Sequence, residues 1–254
     1  MLFPQELIDA VIDCIGAQST FDFAIGSYIS HPYRTGKSAD ELKSLALASR
    51  ACNHRARSHL FAKCRVANIN PRSFDQFEQC PDVLLGYTRV LTVHYDTTPT
   101  TMLAILRRFV SSPLVSVNFY SMRISEGLLE MLKSFLPNVS HIKVVHCTLN
   151  PVILINLVST LDHRSELCLQ GCGVTTVLEE DDNLPSLPPL QGRLSISDSR
   201  HLYLDPMGLL SRVALPLRSL DCTSRIHPSE NKLIGACAGS LENLEVKMVV
   251  DWST

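Results

Sequence analysis

The chain has 254 residues, 45% of them hydrophobic and 19% charged, and a formal net charge of −2. This is the composition of a globular protein of one or two domains, without the basic excess expected of a nucleic-acid or membrane-surface binder. Its nine cysteines include no C-x-x-C pair, which points away from a disulfide framework and toward reduced thiols used as small apolar residues.

The first residues carry Glu6, Asp9 and Asp13 where a secretory signal would carry basic charge and then an apolar run. No later stretch reaches the length needed to span a bilayer. An intracellular protein of cytoplasm or nucleus, with no membrane partner, is the expectation.

Leu7, Ile8, Val11, Ile12 and Ile15 recur at the spacing that puts side chains on one helical stripe. Pro4 fits a first turn, Glu6 the positive end of the helix dipole, and Gly16 a closing position. A second helix is expected from about Asp40 to Ala51, with Leu42, Leu45 and Leu47 apolar. A third follows from about Asn53 to Phe61. Three helices this short cannot bury all of these residues among themselves, so part of the apolar surface belongs to a partner.

Pro4, Glu6-Leu7-Ile8, Leu45-Ala46-Leu47-Ala48-Ser49-Arg50 and Arg55-Ala56-Arg57-Ser58-His59-Leu60-Phe61 together resemble the F-box-like domain of fungal proteins. The resemblance covers roughly a quarter of the chain. Ala17 to Lys37 reads as an inserted loop, and Cys52 stands where the family commonly has Trp. The resemblance implies docking to a small Skp-type adaptor, and through it to a cullin. Phe3, Pro4, Leu7, Ile8, Ile12, Leu42, Leu45 and Leu47 are the implied adaptor contacts. The alternative use of these residues is packing within the three helices.

Residues 66 to 88 carry no sustained period, and Asn68, Asn70, Pro71 and Pro81 mark them as a joint with one helix near Phe74 to Cys80. Beyond it an apolar strand pattern returns. Its leading positions are Leu91, Val117, Ile142, Leu167, Leu194, Leu220 and Leu244, at successive steps of 26, 25, 25, 27, 26 and 24 residues. Those steps lie within the leucine-rich-repeat range. Two residues further on come Val93, Phe119, Val144, Leu169, Ile196, Cys222 and Val246. Leu114, Val139, Leu217 and Leu241 precede four of the leading positions by three. Cys147 and Cys172 occupy the Asn-or-Cys place of the motif, whereas Asp96, Met122, Ser199, Arg225 and Val249 depart from it.

Between the strands lie segments of helical spacing with starts at Thr100, Ser125, Asn150 and Asp205. The run Glu179 to Asp182, followed by Pro185, Pro188 and Pro189, reads instead as a solvated convex loop. The expected fold class is therefore α/β. A small three-helix F-box-like domain spans 1–65 and a connecting segment 66–88. A leucine-rich-repeat-like solenoid of about seven irregular repeats follows over 89–254, its curved parallel sheet backed by helices on the convex side. Lys247 to Val250 ends the array without a polar cap.

The histidines and cysteines of His141 to Cys147, with His163, Cys168 and Cys172, match no usual zinc spacing, and Cys147 and Cys172 are accounted for as repeat positions. No nucleophile elbow, phosphate loop or H-E-x-x-H occurs. No catalysis, cofactor or metal is expected. Arg50, Arg55, Arg57, Lys63 and Arg65 form the densest basic run, but acids share the segment and nucleic acid is not an expected partner. The remaining candidate surface is the outward face of the strands, with His94, Asn118, Tyr120, Lys143, Gln170, Ser197, Asp221 and Glu245 as contacts for an unknown target protein. The chain thus reads as a non-enzymatic substrate-recognition adaptor of a Skp-cullin-F-box type E3 ubiquitin ligase. The rival is a leucine-rich scaffold or regulatory protein whose N-terminal helices only cap the first repeat.

Overall fold

The computed structural model of the chain describes residues 4–19, 23–25, 37–67, 71–94, 99–135, 139–160, 165–175, 190–197, 206–213, 216–224 and 228–248. The chain packs as two compact units, Met1–Val115 and Ser116–Thr254, each containing parallel strands and helices. Strand and helix alternate through most of the described residues, an α/β protein.

The first unit begins with α1 (Gln5–Ala17), β1 (Phe23–Ile25), α2 (Lys37–Ala48) and α3 (Arg50–Leu60). Pro4 sits one residue ahead of α1, and its carbonyl accepts the N–H groups of Leu7 and Ile8 at 3.1 and 3.3 Å. Pro4 therefore serves as the N-cap, where its missing N–H costs nothing. α2 and α3 divide earlier than the apolar pattern suggests, because Ser49 adopts extended backbone and its hydroxyl accepts the Cys52 N–H at 3.2 Å. That capping bond starts α3 at Arg50 and not at Asn53.

Ile12, Leu42, Ala46, Cys52, Ala56 and Leu60 form the core of the three helices, with Ile8, Ile15, Leu45 and Phe61 half-buried around it. Cys52 fills its place in this core as a small buried thiol.

The Ala17 to Lys37 segment holds more than a loop, since β1 lies within it and pairs in parallel with β2 (Lys63–Val66). The expected connecting segment 66–88 is also structured. It contains α4 (Pro71–Glu78) and α5 (Asp82–Leu85), which carry the chain from β2 to β3 (Val90–His94), and α6 (Pro99–Arg108) follows. β2 pairs with β3 so that Cys64 meets Leu91 and Val66 meets Val93. Cys64 and Val66 are 1% and 0% exposed, so the apolar pair of the later strands begins 27 residues before Leu91.

Arg108, on the last turn of α6, holds the α4–α5 connection. Its guanidinium donates to the carbonyls of Phe77, Glu78 (3.2 Å) and Cys80 (2.6 Å) and to the Asp82 carboxylate. It also lies 4.9 Å over the Phe77 ring, which stacks on Phe109.

The second unit contains β4 (Ser116–Tyr120), α7 (Glu126–Phe135), β5 (His141–Val145), β6 (Thr148–Leu149), α8 (Pro151–Ser159), β7 (Glu166–Gln170), β8 (Gly173–Val174), β9 (Leu190–Ser197), α9 (Pro206–Leu210), β10 (Leu217–Ser224), α10 (Pro228–Cys237) and β11 (Asn243–Met248). Its strands lie in the order β4-β5-β7-β9-β10-β11, all parallel. Val117, Ile142, Leu167, Leu194, Leu220 and Leu244 stand side by side in this register, as do Phe119, Val144, Leu169, Ile196, Cys222 and Val246. Two apolar residues per strand, two residues apart, face the same side, and each row is continued by its neighbour.

Ser125 and Asn150 cap their helices as the pattern predicts: Ser125 Oγ accepts the Leu128 N–H at 3.3 Å and Asn150 Oδ1 the Val152 N–H at 2.8 Å. α6 begins at Pro99, and Asp205 and the acidic-proline run Glu179 to Pro189 fall outside the described residues.

After β4, β5 and β7 the chain turns in the same way three times. Ser121, His146 and Gly171 have φ of 53°, 52° and 59°, and each donates its N–H to the last residue of the next strand. Only at Gly171 is that left-handed conformation free of steric cost. The next residue in each turn is Met122, Cys147 or Cys172, all buried. The two thiols donate to main-chain carbonyls, Cys147 to Val145 at 3.4 Å and Cys172 to Val144 at 3.2 Å. Burial pushes the Cys147 thiol up to about 11 and the Cys172 thiol up to about 12, so both stay protonated donors at neutral pH.

Leu167 is fully buried at the centre of this row. Leu167→Ala is expected to cost about 2–5 kcal/mol in chemical denaturation, through lost transfer energy and a residual cavity. Arg108→Ala removes a charged donor from several carbonyls together and is expected to cost about 1.5–3 kcal/mol, measured as a lower denaturant midpoint.

Candidate functional site

Two surfaces contain the residues that sequence reasoning singled out, one in each unit. In the helical cluster, the inward residues of α1 are Ile8, Ile12 and Ile15, at i, i+4 and i+7. Pro4, Leu7 and Val11 lie along the flank of this stripe at a similar spacing, and Leu7 and Val11 are 55% and 57% exposed. On α2, Leu45 is half-buried whereas Leu47 is 87% exposed. Residues two apart on a helix point to different sides, so these two leucines cannot share one face.

The expected adaptor contacts therefore divide. Ile12 and Leu42 are both fully buried in the three-helix core and present no surface. Ile8 and Leu45 pack at its margin. Pro4, Leu7 and Leu47 are exposed, and Phe3 lies outside the described residues. Val11 belongs with the exposed group, and the sequence signal for it was present in its place one turn beyond Leu7. A shallow groove lined by Ile15, Lys37, Asp40, Glu41, Ser44 and Leu45 opens beside this margin.

Polar contacts fix the helices that carry these residues. Asp13 on α1 accepts from Arg55 Nε at 2.6 Å, pairs with the same guanidinium a second time, and lies 2.9 Å from His59 Nε2, both partners being on α3. The Arg55 hydrogen bonds, reinforced by His59, hold the Asp13 carboxyl far below the usual range. Gly16 is needed alongside, because a Cβ there would clash with the His59 ring. Asn53 Nδ2 donates to the Ala46 carbonyl at 2.6 Å and joins α3 to the end of α2.

In the second unit the outward side chains of the strands form a mixed polar face. Asn118, Tyr120, Lys143, Gln170, Ser197 and Asp221 are all partly exposed and Glu245 is exposed, as the alternation predicts. His94, on β3 of the first unit, is likewise partly exposed. Val145 is the exception on this face, at 4% exposure.

Arg193 is the electrostatic centre of the face. Its guanidinium lies 3.1 Å from Asp221 Oδ2, 3.1 Å from Glu245 Oε2 and 4.0 Å from Glu166 Oε1, spanning four strands. His141 Nε2 stands 3.8 Å from the other Glu166 oxygen. Lys247 pairs with Glu245 at 2.9 Å, which lowers the Glu245 carboxyl, while Glu245 raises the Lys247 ammonium. Asp221 Oδ1 is shielded from solvent and accepts no hydrogen bond from the described residues. Such an unsatisfied acceptor costs about 1–3 kcal/mol until a donor reaches it. Sequence reasoning missed Arg193, which precedes the leading Leu194 and so lay outside the two outward rows considered.

Cys168, on the same face, has its thiol pushed up by burial. Among the described residues no three His, Cys, Asp or Glu side chains converge to hold a metal ion, and no helix is long and apolar enough to cross a membrane.

The Asp13 contacts generate a pH dependence. The carboxyl is depressed below its ordinary 3.8, so its contribution is present above about pH 4 and is lost as pH falls toward the folded value. Acid unfolding of the helical cluster, followed by circular dichroism, is expected to lose part of its dependence below pH ~4 in Asp13→Asn. No protein-family model matches the chain, and no curated protein matches it.

Proposed function

We propose that the chain is a substrate-recognition adaptor of a Skp-cullin-F-box type E3 ubiquitin ligase and catalyses nothing itself. In this reading α1 to α3 form the F-box-like module that docks a Skp-type adaptor, which in turn holds a cullin. The register-matched strands are the leucine-rich repeats of a solenoid, and their outward face binds the target. The observation that carries the reading is the exposure of apolar side chains on the helical cluster. Leu7, Val11 and Leu47 remain exposed although the cluster already has a closed core, which is the surface a docked helical partner would cover. On the target side, the buried acceptor Asp221 Oδ1 and the partly exposed Tyr120 supply the polar and aromatic elements typical of protein recognition.

A second reading has its own observation. Ile12 and Leu42 are spent on internal packing, and β2 starts only three residues after α3 ends. The helices then act as an N-terminal cap on a leucine-rich scaffold or regulatory protein and meet no adaptor.

Leu7→Asp combined with Leu47→Asp separates the two, because both side chains are exposed and neither supports the core. Adaptor docking predicts loss of co-purification with a co-expressed Skp-type adaptor, at least a tenfold drop in affinity at about 1.4 kcal/mol, with the circular dichroism spectrum unchanged. Failure of the folded, unaltered chain to capture the adaptor favours the cap, and unchanged capture by the folded double variant contradicts docking through Leu7 and Leu47.

A further inference from the structure

The last strand of the second unit is built unlike the others. Leu220 and Cys222, in the apolar rows of β10, are 1% and 0% exposed, whereas Leu244 and Val246 in the same rows of β11 are 47% and 45% exposed. Among the described residues β11 has no strand beyond it.

The direction of its peptide groups follows from the inner strands. Glu166 donates its N–H back to Ser140 O, and His146 donates forward to Gln170 O, each at 2.7 Å. Residues of the apolar rows, in step with His146, thus turn their peptide groups toward the following strand, and outward-face residues turn theirs toward the preceding one. On β11 this alternation leaves the N–H and C=O groups of Leu244 and Val246 directed away from β10, toward the side on which no strand lies among the described residues.

We propose that the chain forms a two-fold dimer with a second copy of itself by antiparallel pairing of β11, with Val246 on the axis. A two-fold interface must be complementary to itself, and the charges of β11 select one register. With Val246 opposite its own copy, Glu245 of each chain faces Lys247 of the other. Centring the axis on Glu245 or on Lys247 would instead oppose like charges. Leu244 and Val246 make hydrogen-bonded pairs, and Glu245 and Lys247 fall at the closely spaced pairs between them, where cross-strand side chains are nearest. Lys247 and Glu245 already associate within one strand at 2.9 Å, so both charges are positioned on the face where the cross-pairs form. The same contact covers the exposed Leu244 and Val246 and pairs the peptide groups that face away from β10.

Sedimentation velocity on the full chain tests this. The unaltered chain is expected to be a dimer. Lys247→Glu places two acids on each strand and Glu245→Lys two bases, so each variant alone is expected to be monomeric, its dimer dissociation constant raised at least about tenfold. An equimolar mixture restores opposite charges in both cross-pairs and is expected to dimerise again. A monomeric unaltered chain, dimers in both variants, or a mixture that stays monomeric each overturns the proposal. Circular dichroism confirms that each variant is folded. If Glu245→Lys unfolds beside Arg193, Lys247→Glu against Lys247→Arg decides: the dimer must be lost in the first and kept in the second.

Discussion

The register of the parallel strands is the constraint on which the second unit depends. Because Val117, Ile142, Leu167, Leu194, Leu220 and Leu244 lie opposite one another, each apolar pair is buried only if the next strand presents its own pair at the same height. A slip of one residue would move every apolar side chain to the outward face. The turns after β4, β5 and β7 hold that height. Ser121, His146 and Gly171 share one backbone conformation and one hydrogen bond to the next strand, and the buried thiols behind two of them place their own S–H groups on main-chain carbonyls.

Polar side chains do different work in the two units. In the helical cluster, Asp13 joins α1 to α3 and Asn53 joins α3 to α2, so the outer apolar residues are carried on helices whose mutual placement is already fixed. On the sheet, Arg193 gathers three carboxylates from three other strands, yet Asp221 keeps one oxygen without a donor. The pairs with Glu166 and Glu245 are open to solvent and add little stability, so they set the charge pattern of a surface more than they hold the fold.

The repeat spacing was legible because the step between strands hardly varies: an apolar pair returning every 24 to 27 residues forces the pairing later observed. Cys64 and Val66 obey the same spacing but were hidden, since a cysteine between Lys63 and Arg65 makes a poor strand signal and Asn68 to Pro71 reads as a break. β1 is three residues long, too short for alternation to be seen. The helix boundary at Ser49 was missed because a capping hydroxyl inside Leu-Ala-Leu-Ala-Ser-Arg leaves the helical pattern on either side intact. The division of the candidate docking residues was only half legible. A stripe as wide as Leu7 to Ile15 says that some residues face in and some out, but which side meets α2 and α3 is decided by packing, and it claimed Ile12 and Leu42.

The most direct measurement is a titration of the full chain with a purified Skp-type adaptor, read by calorimetry and by the mass of the complex in solution. The exposed Leu7, Val11 and Leu47 predict one adaptor bound per chain, with the negative heat-capacity change of apolar burial. A folded chain that binds no adaptor at any accessible concentration would contradict it.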